Sequence, residues 1–186
     1  MANDRGLTET IEAMQTLSSK YPSIALFFLG SGPFEQELKR IIETHNIANV
    51  FFHGPVEYSR VPEFIAMSDV GVVPLPDLPK WRSQCPLKLL EYLAMAKPVI
   101  ITDIPAHRSI VKNEPFGIFA GSSDQQEIAK AIIFAYENRE RLFDWGQKGK
   151  SIASKEYTWD KVAKKLQDYL LDLKQNTASK TTRYFD

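Results

Sequence analysis

The chain has 186 residues, of which 44% are hydrophobic and 25% charged, and its 23 basic side chains are balanced by 23 acidic ones. This composition excludes a disordered chain, and the missing basic surplus argues against a protein that binds nucleic acid through its charge. The single cysteine, Cys85, excludes an internal disulfide framework and fits a reducing compartment.

Neither a metal motif nor a membrane segment stands out in the sequence. The three histidines are scattered and give no zinc spacing. No apolar run approaches the roughly 18 residues of a membrane span, and the N-terminus has neither the basic start nor the apolar stretch of a signal peptide. The sequence therefore predicts a soluble cytoplasmic domain of the α/β or α+β class.

Helical and strand-like patterns alternate along the chain. Apolar residues at helical spacing predict a helix over 7–21, and the continuous apolar run SIALFFL at 23–29 predicts a buried strand. The alternation continues with helices over 34–45, 59–67, 86–94, 123–138 and 160–173, and with strands over 50–52, 70–74, 98–102 and 118–120. The proline-containing polar segment 75–84 is predicted as a loop, and the polar residues from Lys174 onward as a mobile tail.

Strands that alternate with helices in this way predict right-handed crossovers and a parallel sheet with helices on both faces. We expect one domain over 1–173, followed by the tail at 174–186. Ligands of such sheets bind outside the carboxyl ends of the strands. The candidate binding loops are therefore 30–33, 53–58, 75–86 and 103–108.

A glycine-containing turn, Gly30-Ser31-Gly32, follows the first predicted strand. Glu35 stands where a dinucleotide fingerprint needs its third glycine. Glu35 and Glu37 also fall in the first turn of the next helix, where they would repel a pyrophosphate. The residues by themselves favour a tight strand-to-helix turn over a dinucleotide site.

The helix predicted from Pro86 has the opposite charge at its start. Proline suits the first turn of a helix, and Lys88 in that turn is unfavourable to the bare helix dipole. A cation makes sense there if an anion is bound at the helix N-terminus. The alternative is a surface pair of Lys88 with Glu91 that stabilises the helix by a few tenths of a kcal/mol. These residues alone leave both interpretations open.

The stretch PLKLLEYLAMAKPVI at 86–100 closely resembles the donor-binding motif of the retaining nucleotide-sugar glycosyltransferases of family 4, which have the GT-B fold. Further motifs of that family follow in its order over residues 5–170. They are Arg5-Gly6, Gly30-Ser31-Gly32-Pro33, VFFHG at 50–54, SDVGVVP at 68–74, IPAHR at 104–108 and YTW at 157–159.

This resemblance implies a Rossmann-like domain that is the C-terminal, donor-binding half of an enzyme of hexosyltransferase type. Such an enzyme transfers a sugar from a nucleoside-diphosphate sugar to a glycan or a lipid-linked acceptor, and most of the acceptor site is supplied by an N-terminal domain. No metal or other cofactor is implied, and peripheral association with the inner face of the membrane is one option for the full enzyme. The family has a further strand just upstream of the Arg5-Gly6 pair, so Met1 is interpreted as an internal methionine, a truncated start or a fragment boundary.

The family's donor-binding positions carry over to seven residues of this chain. Arg5 is expected to neutralise the diphosphate, and the backbone near Leu87 and Lys88 to hold it. Glu91 is expected to accept hydrogen bonds from the ribose hydroxyls. The remaining positions are Gly32 in the glycine loop, Val56 near the base, and Ser83.

Three positions depart from the family pattern. Ser83 replaces the first glutamate of a paired-glutamate motif, so the catalytic residue is left unassigned and the identity of the sugar is in doubt. Ala96 replaces a glycine at a helix end where a left-handed residue prefers glycine. Ser109 stands where many members carry a glutamate.

Two other functional classes stay open on the sequence. One is a non-catalytic nucleotide-binding module, or an inactive remnant without its acceptor domain. The other is a fragment of a GT-B-type sugar epimerase, which shares the domain plan but usually lacks the glutamate-bearing helix.

Overall fold

The computed structural model describes residues 1–182, with side chains through residue 174. Its five strands form two parallel sheets. β1 (Leu26–Leu29) pairs with β2 (Val50–Gly54), while β4 (Val99–Thr102) lies between β3 (Gly71–Val73) and β5 (Gly117–Ala120). Every residue of β4 is buried, as expected for a central parallel strand covered on both faces.

Nine α-helices surround these strands in the described part of the chain. They are α1 (Leu7–Lys20), α2 (Glu35–Thr44), α3 (Val61–Met67), α4 (Pro79–Arg82), α5 (Leu87–Ala94), α6 (Pro105–Val111), α7 (Gln125–Glu137), α8 (Leu142–Glu156) and α9 (Trp159–Thr182). Short 3₁₀ turns lie at Tyr58–Arg60 and Arg139–Arg141.

The apolar residues at helical spacing in α1 are buried against α7. Ile11 and Met14 of α1 and Ile128 of α7 are completely buried where the two helices meet. Asp124 begins α7 by accepting hydrogen bonds from the backbone N–H of Gln126 and Glu127, which are two of the donors that a helix start leaves unpaired. These helices and the parallel strands confirm the predicted α/β class.

The predicted single sheet is wrong in one respect. The described residues contain no strand that is hydrogen-bonded to both β1 and β3, so the parallel strands stay in two groups. The helix α1 packs against both α2 and α7, on either side of this division.

Several elements differ from the sequence prediction. Segment 75–84 contains the short helix α4, and the loop at 103–108 is largely the start of α6. The helix α8 was not predicted from the sequence. In the fold Gly146 allows α8 to approach the α5 end closely, since a Cβ there would come within 1.9 Å of the Ala96 carbonyl oxygen. The last helix continues past Leu173 to Thr182, so only residues 183–186 of the predicted tail lie outside the described residues.

Candidate functional site

A cavity of about 400 Å³ opens at the carboxyl end of β3, where ligands of parallel sheets bind. Three segments line it, and each comes from a different part of the chain. They are the loop before α1 with the first residue of that helix (Arg5 and Leu7), the end of β3 with the two residues after it (residues 72–75), and the segment that leads into α5 with the first turns of that helix (residues 84–88 together with Glu91).

The loop before α1 is fixed by a glycine. Gly6 has a φ of +69°, and a Cβ at this position would come within 2.0 Å of the carbonyl oxygen of Pro74. Only glycine combines this backbone conformation with such a close approach. The Gly6 carbonyl also accepts a hydrogen bond of 2.6 Å from the Thr10 hydroxyl in α1. The turn therefore holds Arg5 directly beside the end of β3.

The start of α5 supplies the facing wall. Pro86 precedes the first helical residue, and no side chain caps this helix end. The first-turn amides of Leu87 and Lys88 therefore belong to an uncapped helix N-terminus, which carries partial positive charge. Both residues line the cavity.

The electrostatics of the cavity are those of an anion site. Burial, and then the nearby charge of Arg5, lower the pKa of Lys88, while Glu91 acts in the opposite direction. The Lys88 side chain is still accessible to solvent, because a concave wall removes water from an ammonium without covering the whole residue. Among the described residues neither Arg5 nor Lys88 forms a salt bridge. Two cations and a helix N-terminus thus share one cavity without a neutralising carboxylate contact.

Residues 1–152 match the family model of glycosyl transferases group 1. The chain belongs to this family. It is 30% identical to EpsD of Bacillus subtilis over 146 residues, which make up 78% of this chain and 36% of EpsD. The chain therefore spans about a third of the length of this curated relative.

Two solved structures show the same fold at low sequence identity. The C-terminal domain of a group 1 glycosyltransferase protein, LpcC of Francisella tularensis, superposes with a TM-score of 0.73 at 20% identity, covering 86% of this chain and 83% of that one. Anabaena HepE, solved in complex with UDP-glucose, gives a TM-score of 0.78 at 17% identity, covering 92% of this chain and 46% of HepE. The group 1 glycosyltransferase chain thus has the fold of a C-terminal GT-B domain.

The structure brings four of the seven predicted site residues together. Arg5, Leu87, Lys88 and Glu91 all line the cavity. The cavity is also lined by Leu75, Gln84 and Cys85, which lie in the predicted loop at 75–86 but belong to no motif that marks them as site residues.

The other three predicted residues lie outside this lining, and their contact with a donor stays a prediction. Gly32 is packed against the chain's own start, since a Cβ there would come within 1.7 Å of the Met1 nitrogen. Val56 is half-buried in the loop after β2. Ser83 is exposed at the end of α4, next in sequence to the cavity residue Gln84.

Neither metal ligation nor membrane spanning is visible in residues 1–182. These residues contain no group of three His, Cys, Asp or Glu side chains arranged to hold a metal ion. None of their helices combines the length and the apolar character that crossing a bilayer requires.

Proposed function

We propose that this chain is the nucleotide-sugar-binding half of a retaining group 1 glycosyltransferase and that the donor diphosphate binds in the cavity at the end of β3. One observation carries the proposal. Arg5, Lys88 and the uncapped start of α5 meet in that cavity without a carboxylate in salt-bridge contact with either cation. A diphosphate supplies the negative charge that this arrangement lacks.

The roles of the side chains follow from their chemistry. Arg5 and Lys88 donate charge-assisted hydrogen bonds to the phosphate oxygens. The same donors stabilise the charge that develops on the leaving nucleoside diphosphate as the glycosidic bond breaks. Glu91, one turn further along α5, accepts hydrogen bonds from the ribose hydroxyls. Val56, in the loop after β2, contacts the base.

The comparisons support a nucleotide-sugar donor. HepE, which shares the fold, was solved with UDP-glucose. The chain covers less than half of HepE and about a third of EpsD. The glycan or lipid-linked acceptor is therefore assigned to the remaining part of a longer enzyme, which we place at the cytoplasmic face of the membrane.

Calorimetric titration of the chain with UDP, GDP and ADP tests the proposal. We expect dissociation constants on the order of 0.1–1 mM, because half of the interdomain cleft is missing and little ligand surface is buried. No binding of any of the three at several millimolar would refute the proposal.

A second experiment uses Cys85 to test where the ligand binds. It is the only cysteine of the chain, it is exposed, and it lines the cavity. A nucleoside diphosphate bound there should slow alkylation of Cys85 by iodoacetamide in proportion to the occupied fraction. Alkylation at an unchanged rate with saturating nucleotide would place the ligand elsewhere.

A further inference from the structure

The short helix α4 contacts the loop that carries Arg5. The indole Nε1–H of Trp81 donates a 3.0 Å hydrogen bond to the carbonyl oxygen of Asp4. The guanidinium of Arg5 lies over the Trp81 ring, 4.9 Å from its centroid. A third contact is the ion pair of Lys80 with the Asp4 carboxylate.

Trp81 is much more deeply buried than Arg5, which it contacts. Its side chain is only 5% exposed, whereas Arg5 is exposed at the cavity. A buried ring with a fixed hydrogen bond is a rigid surface, and a free arginine side chain is not. The ring therefore limits where the guanidinium of Arg5 can lie.

A contact with a ring face does not need the hydrogen-bond donors of Arg5, so they stay available to a ligand. A cation over an aromatic ring is attracted through the ring face. The N–H groups of a guanidinium point outward in its own plane, where a phosphate can accept two of them. Arg5 can therefore be held by Trp81 and bind a diphosphate at the same time.

Two cations that share a cavity need such a restraint before an anion binds. Arg5 and Lys88 repel each other, and an exposed arginine would relieve this repulsion by swinging into solvent. Attraction to the Trp81 ring, together with the hydrogen bond that fixes Asp4, opposes that movement.

We propose that Trp81 is a positioning residue that holds Arg5 at the donor cavity, facing Lys88, before the diphosphate arrives. Trp81 does not line the cavity and acts only through Arg5. This inference rests on the proposed function, because it requires Arg5 to bind the diphosphate.

A double-mutant cycle on the full chain, read out as the UDP dissociation constant from NMR titration, tests the proposal. Trp81→Leu should weaken UDP binding about 3- to 10-fold, the range expected for a cation over an aromatic ring. In the Arg5→Ala background, Trp81→Leu should cause no further loss. Arg82→Ala is the control on the same helix, because it removes an exposed ion pair with Asp77 and no contact with the Arg5 loop, and it should keep the affinity within about twofold.

The outcomes separate this inference from the proposed function. If the wild-type chain binds no UDP, the proposed function fails. If Arg5→Ala weakens binding while Trp81→Leu does not, only the positioning role of Trp81 fails. An equal loss from Trp81→Leu with and without Arg5 would also overturn it, since Trp81 would then act through the fold.

Trp81→Phe is the second variant, for use if Trp81→Leu does not fold and therefore shows no cooperative unfolding. Phenylalanine keeps a ring face but lacks the indole N–H. We expect a smaller loss of UDP affinity than for leucine, again absent in the Arg5→Ala background. A loss of the same size in both backgrounds would contradict the proposal.

Discussion

Arg5 and Lys88 come from elements far apart in the sequence and meet in one cavity. Each position has an independent local cause. The left-handed Gly6 places Arg5, and the start of α5 places Lys88. Burial, and then the nearby charge of Arg5, lower the pKa of Lys88, and a bound diphosphate would oppose this shift by supplying negative charge.

Substitutions at Lys88 and Glu91 test their binding roles, since the structure shows no salt bridge between these two residues. Glu91→Gln removes a charged acceptor but keeps the shape, so nucleotide affinity should fall about 10- to 150-fold. Lys88→Ala should weaken nucleoside diphosphates much more than the bare nucleoside. Calorimetry of both variants with UDP and uridine measures these effects.

The matched control is Lys130→Ala, which removes a lysine paired with Glu127 on α7, away from the cavity. It should leave nucleotide affinity unchanged. Unaltered affinity in both variants would instead show that Lys88 and Glu91 have no role in nucleotide binding.

His107 in α6 makes the stability of the domain depend on pH. Its ring is fully buried, Nδ1 lies 2.8 Å from the Thr102 carbonyl oxygen, and Nε2 has no hydrogen-bond partner among the described residues. Burial lowers the pKa of His107 against the opposing effect of the Thr102 hydrogen bond. The unfolded chain therefore binds a proton that the folded chain excludes.

The expected result is a loss of unfolding free energy as the pH falls below the ordinary histidine value of about 6.5, with a slope of up to about 1.4 kcal/mol per pH unit. Urea unfolding at pH 7, 6 and 5 measures it. In His107→Leu this slope should decrease. An equal slope in both proteins would show that other groups cause the pH dependence.

At the scale of the elements, the end of α5 contains a strained residue. Ala96 has a φ of +56° in a Schellman motif, in which the N–H of Lys97 donates to the Tyr92 carbonyl and the N–H of Ala96 to the Leu93 carbonyl. The sequence predicts a position that prefers glycine here, and the left-handed conformation of Ala96 confirms it. The Cβ of Ala96 makes this left-handed backbone conformation energetically unfavourable.

Ala96→Gly should therefore stabilise the domain. Relief of the left-handed strain outweighs the greater entropy of glycine in the unfolded chain, so we expect a gain of about 1 kcal/mol and a rise of about 2–4 °C in the melting temperature. Ala94→Gly is the control, because it lies in the last turn of the same helix and should lower stability. Destabilisation by both substitutions would contradict the strain argument.

At the scale of the whole molecule, the chain contains the cavity proposed to bind the donor but covers only part of the length of its relatives. Transfer requires an acceptor and a closed, water-excluding cleft, which the remaining part of a longer enzyme would complete. The chain alone should therefore bind nucleotide without turnover.

A coupled assay for UDP release from UDP-glucose measures this. We expect no release above the protein-free background, while the same sample shows UDP binding by calorimetry. Release of UDP at an enzymatic rate by this chain would show that it contains a complete catalytic site.

Much of the fold and part of the site could be predicted from local sequence. The alternation of strands and helices depends on short-range spacing and backbone sterics. The motif at 86–100 and the glycine-preferring position of Ala96 were instead predicted through the resemblance to the family. Arg5, Leu87, Lys88 and Glu91 were predicted as site residues through the resemblance, and the structure brings them into one cavity.

Only the tertiary structure decided the rest, because these features depend on residues that meet across the chain. Gly146 disfavours a helix in isolation, but its missing side chain lets α8 approach the Ala96 carbonyl. Trp81 lies in a polar segment that is predicted as a loop, yet it is buried and contacts Asp4 and Arg5. The sequence by itself determined which local structures form, and long-range packing decided which side chains share a surface, since burial and charge act between residues that sequence spacing does not relate.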